Sequence, residues 1–386
     1  MQKFCPLISY MKETAIYIHI PFCDHKCIYC DFYSITPLTK TLDYFECLKK
    51  EIEFYALKES EGREIISIYF GGGTPSLMHP GYIQGLIETI KRNFNVRPEA
   101  EISLETNPGT VDKSKLADFR RAGVNRLSIG VQSFNNSELK FLTRIHNAAL
   151  AEGTVYYALD SGIENVNIDL IFNLPDQSDE IWRSNLEKAI SLPVKHISAY
   201  SLILEPGTIL NKMVIDGKAK IQNNSFDAGL YEYAINFLEK HGFSQYEVSN
   251  FAKEGFECVH NNAYWKYKDY LSFGASAHSF IGNKRWWNYS GLSFYLKSVI
   301  EKGNAEAGAE YLNGEQMLQE YVMLALRSGG IELNEFYSLF GKKWIEENRK
   351  ELSLLNENGL IIYSSEKIKL TKKGYLLCDE ILSRLN

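Results

Sequence analysis

From about residue 15 onward, short runs of β-branched and aromatic residues alternate with longer stretches of helical apolar spacing. The runs 15–20, 65–70, 100–105, 126–130, 165–171 and 196–202 are rich in Ile, Val, Tyr or Phe and bounded by turn residues, which predicts strands. The stretches 41–56, 82–94, 113–122, 149–161 and 179–191 predict helices; in the first, Leu42, Phe45, Leu48, Ile52 and Tyr55 fall along one stripe. Strand–helix units of this size imply a parallel sheet, and six of them imply an α/β fold built on a partial, six-unit β/α barrel. In such barrels the chemistry sits at the C-terminal ends of the strands. Polar residues and glycines collect at that end, strand after strand: Gly71-Gly72-Gly73-Thr74-Pro75-Ser76, Glu105 to Pro108, Gln132-Ser133, Asp169 with Asn173 to Pro175, and Glu205-Pro206-Gly207.

After about residue 215 the repeat stops. Helices are expected over 226–241, 317–327, 334–340 and 347–358, and a hairpin over 360–363 and 367–370, with Thr371 capping a final helix. The last elements have a winged-helix-like order. The expected organisation is an extension over 1–13, the barrel over 14–215, a connecting segment over 216–300, and a smaller C-terminal α+β winged-helix-like domain over 301–386.

Charge narrows the classes. The 386 residues carry a net charge of -6 with scattered Lys and Arg, so there is no electrostatic case for a nucleic-acid partner, and the winged-helix-like part is expected to be a packing module. No stretch of about 18 apolar residues occurs and the N-terminus lacks a signal-peptide core, so no transmembrane segment is expected. Seven cysteines, three of them clustered, form no disulfide framework. The expected location is the cytoplasm, with peripheral contact to a membrane left open.

The clustered cysteines are Cys23, Cys27 and Cys30, spaced Cys-x3-Cys-x2-Cys directly after the first strand. Three thiolates on one tight loop can hold three irons of a cubane iron–sulfur cluster and leave the fourth open to a ligand. The rivals are a zinc site completed by His19 or His25 and a redox pair of Cys27 and Cys30. Zinc ligands usually come from two separated knuckles and no second one appears; a redox pair leaves Cys23 unexplained. The loop is too polar for three merely buried thiols.

The spacing resembles the radical S-adenosylmethionine (SAM) family. Tyr17 to Cys23, Gly71 to Ser76, Glu105-x-Asn107-Pro108, Gly130 to Ser133, Arg144-x-His146 and Asp169-Leu170-Ile171 together resemble its oxygen-independent coproporphyrinogen oxidase branch, from about residue 14 to the C-terminus. The resemblance implies a [4Fe-4S] cluster on the three cysteines and SAM contacts at Tyr17, Gly72, Gly73, Thr74, Glu105, Gln132, Arg144 and Asp169. Arg144 has the forked geometry to pair with the SAM carboxylate. Two departures affect loops. The family's Gly-Leu-Pro-Gly is Asn173-Leu174-Pro175-Asp176 here, and its Gly-Ala-Gly-Ala-His-Ser is Gly274-Ala275-Ser276-Ala277-His278-Ser279.

The branch holds oxidases, which decarboxylate coproporphyrinogen III to protoporphyrinogen IX, and haem chaperones of the HemW type. The oxidases carry a further cysteine two residues after the third cluster cysteine, where this chain has Phe32, and a longer arm than the 22 residues that precede Cys23. His260-Asn261-Asn262-Ala263-Tyr264-Trp265 matches a chaperone signature. The expected function is therefore to bind haem and pass it to an acceptor protein that the sequence does not identify, a respiratory and membrane-associated one being an option; the oxidase is the alternative. Imidazole is a common axial haem ligand and aromatic rings pack on porphyrin faces, which makes His260, Tyr264 and Trp265 the candidate haem contacts. Cys258 is an alternative ligand, and Cys5-Pro6 a weaker haem-associated pair.

Overall fold

The computed structural model describes residues 11–36 and 38–385, so the Cys5-Pro6 pair and most of the expected extension lie outside the described residues. β1 (Lys12–Ile20) leads through a long loop to α1 (Thr41–Glu59). Then follow β2 (Arg63–Gly72), α2 (Pro80–Asn93), β3 (Val96–Thr106), α3 (Lys113–Ala122), β4 (Arg126–Gln132), α4 (Asn136–Phe141), α5 (Ala148–Asp160), β5 (Asn165–Phe172), α6 (Asp179–Ser191) and β6 (His196–Ser201). The six strands pair in chain order and all in parallel, as a partial β/α barrel.

Strict alternation along these strands explains both faces of the sheet. Ile102 and Leu104 of β3, Leu127 and Ile129 of β4, and Val166, Ile168 and Leu170 of β5 join the main apolar core. The residues between them, including Ser128, Gly130, Asn167 and Asp169, line an interior cavity. Layers of branched apolar side chains fill a closed barrel; polar inward positions keep this one hollow. Side chains of Asp112, Asn135, Asn147 and Ser178 accept the first free N–H groups of α3, α4, α5 and α6, each cap contributing about 1 kcal/mol. The α1 stripe is shifted from the expected one: Tyr44, Phe45, Leu48, Ile52 and Tyr55 are buried but Leu42 faces out.

Beyond β6 come α7 (Ile209–Ile215), α8 (Asn224–Lys240), β7 (Ser244–Gln245), β8 (Asn250–Ala252), α9 (Val259–Trp265), β9 (Tyr270–Phe273), β10 (His278–Ile281), β11 (Lys284–Asn288), α10 (Leu292–Lys302) and β12 (Glu306–Tyr311). This stretch does more than connect. β8 pairs antiparallel with β6 and β9 pairs parallel with β1, so it extends both edges of what becomes a 12-stranded sheet. Its strands are two to six residues long, too short to show periodicity. Between β8 and β9, α9 lies across the N-terminal ends of the barrel strands and closes its floor, with His260 bonded to Ser67 of β2 and Glu101 of β3.

The chain ends in α11 (Gly314–Leu326), β13 (Ile331–Glu332), α12 (Leu333–Phe340), α13 (Lys343–Glu347), α14 (Arg349–Glu357), β14 (Ile361–Tyr363), β15 (Lys367–Leu370), α15 (Lys372–Leu376) and α16 (Cys378–Arg384). A three-stranded antiparallel sheet in the order β13-β15-β14 packs with these helices around a separate core that includes Leu326, Phe336 and Leu352. The Thr371 hydroxyl accepts from Gly374 N and caps α15.

The departures from family glycines leave the loops intact. Asn173, Asp176 and Ser276 have φ of 63°, 59° and 65°, the left-handed conformation glycine adopts freely. Asn and Asp tolerate it best among other residues; Ser276 bears more strain.

Candidate functional site

The cysteine loop hangs from the C-terminal end of β1, and its backbone fixes it there. Cys23 N donates to Ile35 O (2.9 Å) and Ile35 N to Pro21 O (2.7 Å). Gly73 N and Thr74 N donate to Ile20 O and Phe22 O, both at 2.8 Å, clamping the end of β2 to the loop. A Cβ on Gly73 would stand 2.7 Å from Phe22 O and 3.0 Å from Cys23 Sγ, and one on Gly72 would strike the His19 ring at 2.6 Å. These glycines are required by close approach between the two segments.

Cys23 is buried, Cys27 and Cys30 are half-buried, and all three are free thiols. Cys30 N donates to Cys27 O at 3.2 Å, a tight turn. Burial pushes the Cys23 and Cys30 thiols up, and the neighbouring thiols push the same way. A cationic iron–sulfur cluster would reverse that, since each thiolate then binds its own iron. Among the described residues no three His, Cys, Asp or Glu side chains are grouped to hold a single metal ion; a cubane takes each thiolate at a different corner. The histidines of the zinc alternative are engaged elsewhere: His19 with Tyr17 OH (3.1 Å) and Tyr33 O (3.0 Å), His25 with Thr143 Oγ1 (3.1 Å). The donor set fits a cluster better than zinc.

Next to the loop, at the mouth of the barrel, opens a cavity of about 420 Å³, within the usual range for ligand pockets. Of the residues expected from sequence to contact SAM, Gly72, Gly73, Thr74, Glu105, Gln132, Arg144 and Asp169 line it, together with Cys30. Tyr17 does not; it stacks on Tyr69 (centroids 6.2 Å apart) behind Gly71. Gln132 sits at φ 68°, a left-handed residue at the end of β4.

Glu105 accepts from Tyr69 OH and Gly72 N, both at 3.0 Å, and burial pushes its carboxyl up to about 7 against those two bonds. Asp169 accepts from Asn167 Nδ2 (2.7 Å) and Ser128 Oγ (3.1 Å), and burial raises it too. Arg144 corrects an expectation. Its Nη2 is occupied by Asn107 Oδ1 (2.6 Å) and Gly130 O (2.7 Å), and its Nη1 lies 3.6 Å from Cys27 Sγ and 3.4 Å from Tyr29 OH. Both terminal nitrogens of the fork are engaged by protein groups while Nε has no partner, which leaves a positive charge beside the thiols.

The floor is different. Glu101 accepts from Val259 N and His260 N, both at 3.1 Å, and from Cys258 Sγ (3.4 Å), tying down the start of α9. Arg126 balances its charge at 3.5 Å. His260 is 1% exposed. Its Nδ1 meets Ser67 Oγ and its Nε2 meets Tyr264 OH, both at 3.0 Å, and its ring stacks on Tyr69 with centroids 4.8 Å apart. Burial and then the Arg126 charge push it down to about 3, so the ring is neutral. An axial haem ligand needs a free ring nitrogen; His260 has none, Tyr264 is its partner, and the Cys258 thiol is bonded to Glu101. Trp265 is half-buried. The expectation that His260 and Tyr264 meet haem directly fails on these bonds.

Sequence reasoning passed over the inward Ser128 and Asn167, which line the cavity. Their signal was present in the alternation Arg126-Leu127-Ser128-Ile129 and Asn165-Val166-Asn167-Ile168-Asp169.

Residues 17–189 match the Radical SAM superfamily and residues 312–377 the HemN C-terminal domain. The chain is 34% identical to the heme chaperone HemW of Bacillus subtilis (strain 168), over 95% of this chain and 97% of the relative. It is 38% identical to the heme chaperone HemW of Escherichia coli (strain K12), over 69% of this chain and 70% of the relative. The structure superposes on coproporphyrinogen III oxidase (HemN) from Escherichia coli, a radical SAM enzyme, with a TM-score of 0.83 and 25% identity, covering 98% of this chain and 91% of that one.

Proposed function

The chain belongs to the HemW family of heme chaperones, with a radical SAM fold, and from that premise we propose that it binds haem and transfers it to an acceptor protein. In this reading Cys23, Cys27 and Cys30 hold a [4Fe-4S] cluster and SAM binds the open iron. When bound, the cluster supplies an electron and SAM a cleavable sulfonium bond. Around them the protein's own groups have definite tasks. Arg144 offsets the thiolate charge beside Cys27. Glu105 and Asp169 line the cavity as acceptors for an ammonium group and ribose hydroxyls. Gly72 and Gly73 let the β2 end press against the cluster loop.

The observation that carries the choice of chaperone over oxidase is Phe32. It stands where the resemblance puts the oxidases' additional cysteine, and it lines the cavity mouth with 64% of its surface exposed. A phenyl ring there offers no thiol chemistry. The haem acceptor is proposed to be a respiratory haem protein at the membrane, and the chaperone to act in the cytoplasm and at that membrane surface; among the described residues no helix is long and apolar enough to cross it. Haem titrated into the anaerobically reconstituted protein should give a saturable Soret shift, and the loaded protein should then convert an added apo-haem protein to its holo spectrum. An unshifted Soret band contradicts haem binding; a shift without conversion contradicts transfer.

A further inference from the structure

The motif segment at the floor has no role left in the reading above once its histidine is withdrawn as a haem ligand. The imidazole is neutral, 1% exposed and satisfied at both nitrogens, and its surroundings indicate what it holds. Its ring stacks on Tyr69, centroids 4.8 Å apart and planes within 24°. Tyr69 reaches upward from that stack, lines the cavity, and donates to Glu105 Oε1 at 3.0 Å. Tyr17 flanks the same pair, 6.2 Å from each ring. Gly71 completes the fit, since a Cβ there would meet Tyr17, Tyr69 and Glu105 at 2.9, 3.0 and 3.1 Å. A chain of direct contacts thus runs from Ser67 and Tyr264 through His260 and Tyr69 to the carboxylate at the mouth.

We infer that His260 is a positioning residue for the SAM pocket, acting through Tyr69 on Glu105. Ser67 and Tyr264 fix the plane of the imidazole, the imidazole fixes the plane of the Tyr69 ring, and the Tyr69 hydroxyl holds one oxygen of Glu105. The other oxygen is held by Gly72 N, so the carboxylate keeps its orientation only while both bonds last. The motif helix is therefore the base on which the ligand-facing end is built. This rests on SAM occupying the cavity.

The test uses the full-length, cluster-reconstituted protein. SAM affinity is measured by equilibrium titration, and the reduced cluster's electron paramagnetic resonance spectrum is recorded with and without SAM. His260→Ala should weaken SAM about tenfold, the weight of one hydrogen bond to a charged group, and diminish the SAM-induced spectral change while iron content stays at wild-type level. Tyr69→Phe, which keeps the ring and removes the hydroxyl, should do the same. The double variant should be no weaker than either single one, because both act through one bond. Unchanged SAM affinity in His260→Ala, or losses that multiply in the double variant, overturns the inference. If His260→Ala does not fold, Tyr264→Phe and Ser67→Ala carry the test: each should weaken SAM severalfold, and wild-type affinity in both overturns it. Failure of the wild type itself to bind SAM overturns the underlying reading and this inference with it.

Discussion

The two ends of the barrel use similar residue types for opposite purposes. At the mouth, Glu105 and Asp169 line an open cavity and stay partly exposed to it, although both oxygens of each carboxylate already accept a hydrogen bond. At the floor, Glu101 is saturated by two backbone N–H groups and a thiol, and His260 has both nitrogens engaged. Burial moves both kinds of group, to about 7 for Glu105 and about 3 for His260. Of these two, Glu105 is the one brought into the range where its charge changes near neutral pH. A polar residue inside a barrel is thus a candidate site where it borders open space; where neighbours enclose it, the residue is a fastening.

That contrast can be broken in several places. The largest effect is expected at the cluster loop: Cys27→Ser should lose the cluster, read as iron and acid-labile sulfide content. Unchanged content would remove the iron–sulfur assignment. Next come paired substitutions at the two ends. His260→Ala should destabilise the fold by about 2–4 kcal/mol, from lost packing and two stranded hydroxyl partners, whereas Asp169→Asn should cost about tenfold in SAM affinity with little change in stability. Denaturant unfolding separates them, since both should weaken SAM; equal stability losses would erase the distinction between fastening and site.

The pH response sharpens it further. Glu105 must be ionised to pair with an ammonium group, so SAM affinity should fall by up to about tenfold per pH unit below about 7. Folding runs the other way: a carboxyl raised from 4.5 to about 7 costs stability as pH rises through that window. Glu105→Gln should flatten both dependences. A pH-independent affinity in the wild type would mean that Glu105 does not meet the ammonium. The smallest expected effect lies away from both ends, at Ser276 with φ 65°. Ser276→Gly should stabilise by about 1 kcal/mol, by relief of left-handed strain, with SAM affinity unchanged.

The mouth was largely legible in the sequence. Cys23, Cys27 and Cys30 are close in the chain, and the other mouth residues except Arg144 lie in the C-terminal halves of strands or just after them, where the period of two is plain in runs such as Leu127, Ile129 and Val131. The floor was not. α9 reaches it only because β8 and β9, three and four residues long, add to opposite edges of the sheet, and strands that short carry no period. His260 beside Tyr264 therefore suggested a ligand and its aromatic wall, when the two side chains are each other's hydrogen-bond partners four residues apart. Arg144 shows the same limit: its forked geometry was readable, but Asn107 and Gly130, which occupy it, come from other strand ends.

The central claim is that this fold carries haem and does not oxidise its precursor. The most direct measurement is to incubate the reduced, cluster-reconstituted protein with SAM and coproporphyrinogen III under anaerobic conditions. Protoporphyrinogen IX is quantified as its oxidised porphyrin, with an authentic oxidase run in parallel. The account predicts no product while the control is active and the cluster intact. A catalytic yield of protoporphyrinogen IX would contradict it and make Phe32 a tolerated variation within an oxidase.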